Sequence, residues 1–323
     1  MGQIIVNKIT SPPSLAPSQS WPRVKKAKPL TKEKVWDIFT NYLFVVPSLL
    51  LFAMFSIYPF FKIFQLSLFE WDGISPDMVF IGIRQYLQVC QDPIWWTSVK
   101  NASWVTFLAL SVQNTLAFGL AWIVDQDLKA KTFYRVVFYL PPVLSGIVVG
   151  LVWNWVFDGN YGVLNFALTK IGLSSLCRAW LADPDTALNS VAIVHIWKGF
   201  GWGFVILLAG LQGIPRELYE AAKVDGASEW QILFRITLPI MIPVLFVVSI
   251  LTILGTMQIY DIIVAMTQGG PGYHTEVPIT RIFASLVGSS RFGYSCTMGV
   301  VFGAILLAIS MVQIRLSKAM KAD

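Results

Sequence analysis

The segment Glu220-Ala221-Ala222-Lys223-Val224-Asp225-Gly226, which runs on through Ser228 and Gln231 to Ile236-Thr237-Leu238-Pro239, is a short polar island in a strongly apolar chain. It carries its own helix punctuation. Pro215 suits the first turn of a helix, and Glu217 and Glu220 fall where a helix N-terminus favours negative charge. Asp225-Gly226 stops that helix, because glycine takes a positive φ without steric cost. Ser228 with Gln231 reads as a capping box opening a second helix, and Pro239 and Pro243 mark the passage into an apolar stretch. The spacing predicts helix, tight turn, helix, on one face of a membrane.

The surrounding chain supports that setting. Its 323 residues are 55% hydrophobic and 13% charged, with a mean hydropathy of +0.64, too apolar for an ordinary soluble domain. Stretches near 42–64, 102–124, 134–157, 190–212, 239–266 and 296–316 each approach the ~20 apolar residues that a bilayer requires. The expected fold is an all-α membrane protein with six transmembrane helices. Lys62 lies near the end of its stretch and can snorkel; Lys198 lies in the middle of its own.

The net charge of +6 would suit nucleic acid, but the basic residues sit in clusters between apolar spans. They fit membrane topology instead. Segments 1–41, 125–135, 214–237 and 315–323 hold sixteen of the 24 Lys and Arg, and the opposite loops 69–98, 158–189 and 269–295 hold five. This bias places both termini and the polar island in the cytoplasm. Three regions are expected: a basic, largely disordered tail over 1–41, a six-helix domain over 42–317 with its polar loop at 214–237, and a short tail over 318–323. Residues 1–34 contain no apolar stretch, so no cleavable signal peptide is expected. The lysines from Lys25 to Lys34, with Trp36, suit a lipid headgroup boundary.

Catalytic chemistry finds little to work with. His195 and His274 lie in no zinc-binding spacing, and Ser145-Gly146 lacks the rest of a nucleophile elbow. Gly269-Gly270-Pro271-Gly272 is not followed by Lys-Ser or Lys-Thr, so it reads as a turn rather than a phosphate cradle. No cofactor is expected on this chain. Cys90, Cys177 and Cys296 show no metal spacing; a Cys90–Cys177 bridge is conceivable, and unpaired thiols are expected.

Polar groups inside spans are costly and mark pathways or pockets. His195, Lys198, Gly199 and Trp202 recur at helical spacing on one face of the fourth span. Thr252, Gly255, Gln258, Tyr260 and Asp261 supply small and polar groups in the fifth. The candidate solute-binding residues are His195, Lys198, Trp202, Thr252, Gln258, Tyr260 and Asp261. Other readings stay open: His195 bonded to a carbonyl, Lys198 paired with Asp261, and Gly199, Gly201 and Gly203 as packing sites or as a helix made easy to bend.

Glu-Ala-Ala, three residues, Gly226, nine residues, Ile236, then Leu238-Pro239 resembles the cytoplasmic signature loop of permease subunits of bacterial ATP-binding-cassette (ABC) importers. Looser likenesses lie at Trp71-Asp72, Gly82 and Tyr86, at Leu140-Pro141 through Trp153 and Asn165, and at Thr267 to Thr275. Together they resemble the sugar-type branch. The resemblance implies a type I importer permease whose coupling residues are Glu220, Ala221, Ala222, Asp225 and Gly226. It further implies a second, related permease, two ATPase subunits that use ATP and Mg²⁺, and an external solute-binding protein. A sugar pocket between the fourth and fifth spans is implied as well. In the alternative reading the chain is an ion-coupled secondary carrier built on Lys198 and Asp261.

Overall fold

The computed structural model describes residues 32–126 and 129–319. The largely disordered tail expected over 1–41 lies outside the described part for residues 1–31, whereas residues 32–41 belong to a helix, Lys32–Phe52. The chain divides into two compact units, Met1–Ile57 and Tyr58–Asp323. The first holds the helix Lys32–Phe52, which runs into a π turn at Ala53–Ile57. The helical run Tyr42–Leu66 is 25 residues long and none of its apolar window is buried. In lipid, exposed Phe44 and Phe55 carry no penalty, because acyl chains are as apolar as they are.

In the second unit the helices Pro93–Asp125, Pro184–Gln212, Glu229–Met257 and Phe292–Leu316 are each long and apolar enough to cross a membrane. Asp92-Pro93 and Asp183-Pro184 open two of them. Asp92 accepts the backbone N–H groups of Ile94 and Trp95 and Asp183 that of Asp185, and in each Pro occupies the first turn, where its missing N–H costs nothing. These caps carry the second and fourth spans beyond the starts expected at 102 and 190. The short strand pair Phe69–Glu70 and Val79–Phe80, with Phe69 opposite Phe80, lies in the loop before the second span.

The third span is broken. Lys131–Val143 and Gly146–Val156 meet at 94°, where a single helix over 134–157 was expected. Pro141 and Pro142 remove two backbone donors from the last turn of the first half. Pro142 would otherwise have bonded the Phe138 carbonyl. That carbonyl lies against Gly201 of the fourth span, so close that a Cβ there would come within 2.5 Å of it. The glycine thus admits both the bend and the freed carbonyl.

The fifth span also departs from expectation. Its helix ends at Met257, and residues 261–266 form a separate helix, Asp261–Met266, after a break at Gln258 to Tyr260. No proline or glycine marks those three residues. Ile259 is buried and the Tyr260 ring packs at 4.9 Å from Phe283, so tertiary contacts redirect the backbone.

The fourth span is the centre of the unit, with 56% of its apolar window buried against 22–33% for the second, fifth and sixth spans. Gly203 lets Ala117 and Val248 approach from the second and fifth spans, and Phe204, Leu207 and Leu211 are fully covered. Among lipids such packing stabilises through close van der Waals contact rather than through water exclusion.

At the end of the unit opposite the signature segment, Asp92 ties three elements together. Its Oδ2 accepts from Arg281 Nη2 at 3.2 Å and from Tyr294 Oη at 3.0 Å, and Arg291 stacks on the Tyr294 ring at 4.2 Å. Burial works to raise the Asp92 carboxyl, but the bonds from Tyr294 and Arg281 outweigh it, leaving its pKa below the ordinary 3.8. The carboxylate therefore contributes stability above pH 3.8 that is lost as pH falls below it. Asp92→Asn is expected to cost roughly 1–3 kcal/mol by weakening both bonds. Thermal melts of the purified protein across pH should show a lower melting temperature and a shallower acid limb. A melt indistinguishable from wild type at every pH would contradict the tie.

Candidate functional site

The signature segment folds as helix Arg216–Val224, turn, helix Glu229–Ile232. Pro215 is the N-cap residue, one position ahead of the expected first turn. Gly226 sits at φ +76°, and the Ala227 N–H reaches back to the Ala222 carbonyl at 2.9 Å. That six-to-one bond needs a left-handed residue at the turn. The capping box forms as spaced: Gln231 N–H donates to Ser228 Oγ at 3.3 Å, and Ser228 N–H donates to Gln231 Oε1 at 2.7 Å. Lys223 and Glu229 pair across the turn at 3.7 Å, both largely exposed, a contact that solvent screens to little net value.

One detail departs from expectation. Ala221 and Ala222 were both expected on the face offered to a partner, but Ala222 is buried against the chain itself. The free face carries Ala221, Asp225 and Gly226, with Leu218 and Val224 exposed as well, while Glu220 is exposed on the side that borders a cavity. Thr237 at the foot of the fifth span donates to the Tyr219 hydroxyl at 3.4 Å. Behind the helix lies a polar cavity of about 740 Å³, lined by Asp125, Lys131, Arg135, Arg216 and Glu220 among others.

A second cavity, of about 430 Å³, opens midway along the fourth span. His195, Lys198 and Trp202 line it from that span, Thr252 and Gln258 from the fifth, and Asp261 from the short helix beyond the break. Its size falls within the roughly 300–1,000 Å³ of small-molecule sites. His195 Nε2 lies 3.2 Å from Thr256 Oγ1, and Thr252 Oγ1 donates to Asn114 Oδ1 at 2.9 Å. The Trp202 ring stands edge-on to Tyr139 at 5.5 Å with 57% of the residue exposed. The Asp261 carboxylate packs onto Gly146 at the elbow of the third span.

Tyr260 does not join this lining, because the helix break turns its ring onto Phe283. Lys198 and Asp261 border one cavity, yet among the described residues no ion pair joins them within 4 Å. The interhelical salt link conceived for them, and the carrier reading resting on it, therefore lack their geometric basis. Two residues of the second span went unnoticed in the sequence: Gln113, which lines the cavity, and Asn114, which holds Thr252. The polar run Ser111-Val112-Gln113-Asn114 inside an apolar stretch was the available signal. All three cysteines are free thiols.

Residues 113–321 match the family described as "Binding-protein-dependent transport system inner membrane component". The chain is 35% identical over 284 residues to the "Probable ABC transporter permease protein YurN" of Bacillus subtilis (strain 168), covering 87% of this chain and 97% of that protein. It is 30% identical over 288 residues to the "Trehalose/maltose transport system permease protein MalF" of Thermococcus litoralis, covering 89% and 97%. Among solved structures, a chain of a bacterial ABC transporter involved in the import of the acidic polysaccharide alginate superposes with a TM-score of 0.79. That likeness covers 89% of this chain and 98% of that one at 22% identity, and it bears on the fold.

Proposed function

Starting from the premise that the chain belongs to the binding-protein-dependent transport system inner membrane component family and is the permease subunit of an ABC importer, we propose that it carries a sugar or sugar-like solute. The observation that carries this reading is the cavity between the second, fourth and fifth spans. It offers one exposed indole face, Trp202, beside hydrogen-bonding groups, Gln258, Thr252 and His195. A sugar presents an apolar ring face to an indole and hydroxyls to amides and hydroxyls. The trehalose and maltose named for the Thermococcus relative belong to the same chemical class.

The chain itself is the non-catalytic, multi-pass membrane subunit. In the proposed assembly a second, related permease stands beside it in the bacterial inner membrane, with both termini cytoplasmic. Two ATPase subunits bind ATP and Mg²⁺. Each takes one signature helix into a cleft, and this chain has one to offer. A solute-binding protein delivers cargo to the opposite face. Closure of the ATPase pair draws in Glu220, Ala221, Asp225 and Gly226. The bond from Thr237 at the foot of the fifth span to Tyr219 of that helix passes the displacement toward the cavity wall. The permease contributes two alternative packings, and the ATPases bias them.

The test is the ATPase activity of the assembled transporter in lipid, with and without binding protein loaded with maltose, trehalose or cellobiose. Stimulation by at least one loaded form supports the reading. No stimulation by any of them, with uptake following an ion gradient instead, would overturn it.

A further inference from the structure

The second span contributes to the cavity through one residue whose hydrogen bonding is incomplete. Gln113 is 6% exposed, and its Oε1 is shut from solvent with no partner. Gln113 nevertheless lines the cavity. A buried amide oxygen without a donor is rare in a folded protein, and such groups point to a role or a missing partner. Gln113 closes the π turn Ala109–Gln113, a distortion that recurs at functional sites. The next residue, Asn114, is fixed by its bond to Thr252, so the backbone on which Gln113 stands is tied to the fifth span. Its amide rests on Gly199, where a Cβ would lie 2.6 Å from Oε1.

We infer that Gln113 is a specificity-determining contact for the solute, its carboxamide hydrogen-bonding a hydroxyl of an uncharged carbohydrate. Gly199 is the clearance that lets the amide lie there. The inference rests on the sugar reading given above. Charge favours a neutral cargo. Of the cavity's side chains Lys198 and Asp261 are of opposite type, one basic and one acidic, and Gln113, Thr252, Thr256 and Gln258 are amides and hydroxyls. A phosphate or uronate would meet no net positive field.

The complete transporter with its binding protein, in proteoliposomes, is assayed for uptake of maltose, trehalose and cellobiose, and of monodeoxy analogues of whichever is carried. Gln113→Leu and the near-isosteric Gln113→Glu are compared with wild type, each scored for co-purification of the ATPase. Loss of one hydrogen bond is expected to lower uptake about tenfold. It should also erase the preference for the parent sugar over one particular deoxy analogue. Gly199→Ala should reproduce the loss, and should add nothing in a Gln113→Ala background, where its methyl has room. Wild-type uptake with unchanged discrimination in both Gln113 variants overturns this inference alone. Absence of uptake and of ATPase stimulation in the wild-type complex, for all three sugars, overturns the sugar reading and this inference with it.

Discussion

Replacing Gly226 with aspartate is expected to leave the permease inserted and folded but to abolish the stimulation of ATP hydrolysis by loaded binding protein. Gly226 holds φ +76°, and a Cβ there would meet nothing within 4 Å, so the cost lies in the backbone alone. A non-glycine residue in the left-handed region costs about 1–2 kcal/mol, too little to unfold the protein. It is enough to disfavour the turn that joins Arg216–Val224 to Glu229–Ile232 and carries the Ala227–Ala222 bond. Aspartate also sets a second carboxylate beside Asp225 on the exposed face of the turn. Gly226→Asn, whose side chain tolerates the left-handed region better, should keep most of the stimulation. ATPase assays with co-purification of the ATPase as the control separate the two outcomes. Full stimulation in the aspartate variant would remove the turn from the coupling path.

The second large effect is expected at Gly146, at the elbow of the third span. A methyl at this position would fall onto the Asp261 carboxylate, so Gly146→Ala must displace either the elbow or the acid. Overpacking of this kind costs roughly 1–3 kcal/mol, read as a lower melting temperature. Uptake should fall by about tenfold or more, because Asp261 borders the cavity. Asp261→Ala in the same chain returns the space. The double variant should recover the melting temperature without recovering uptake. Recovery of both would mean that the carboxylate contributes only bulk.

Much of this was legible in the residues. The caps at Ser228 and Gln231, the stop at Gly226 and the apolar lengths of the spans obey local rules, so position in sequence suffices to read them. The one-face spacing of His195, Lys198 and Trp202 is likewise a property of any straight helix, and these three do line one cavity. Where the backbone leaves the straight helix, that reasoning stops. Leu140-Pro141-Pro142 was visible as a motif, yet the 94° bend depends on Gly201, sixty residues away, to receive the freed Phe138 carbonyl. The break after Met257 has no local marker at all.

Residue order was enough to mark a membrane protein with six apolar stretches, a polar island folded as helix, turn and helix, and the shared face of His195, Lys198 and Trp202 on the fourth span. Those follow from hydropathy, φ preferences and the 3.6-residue period, each set by a few neighbouring residues. Tertiary contacts were needed to show that Ala222 turns inward, that Tyr260 leaves the cavity for Phe283, that among the described residues no ion pair joins Lys198 to Asp261, and that Gln113 enters from the second span. Each of those depends on what a distant helix presents at the same depth, which no local pattern encodes.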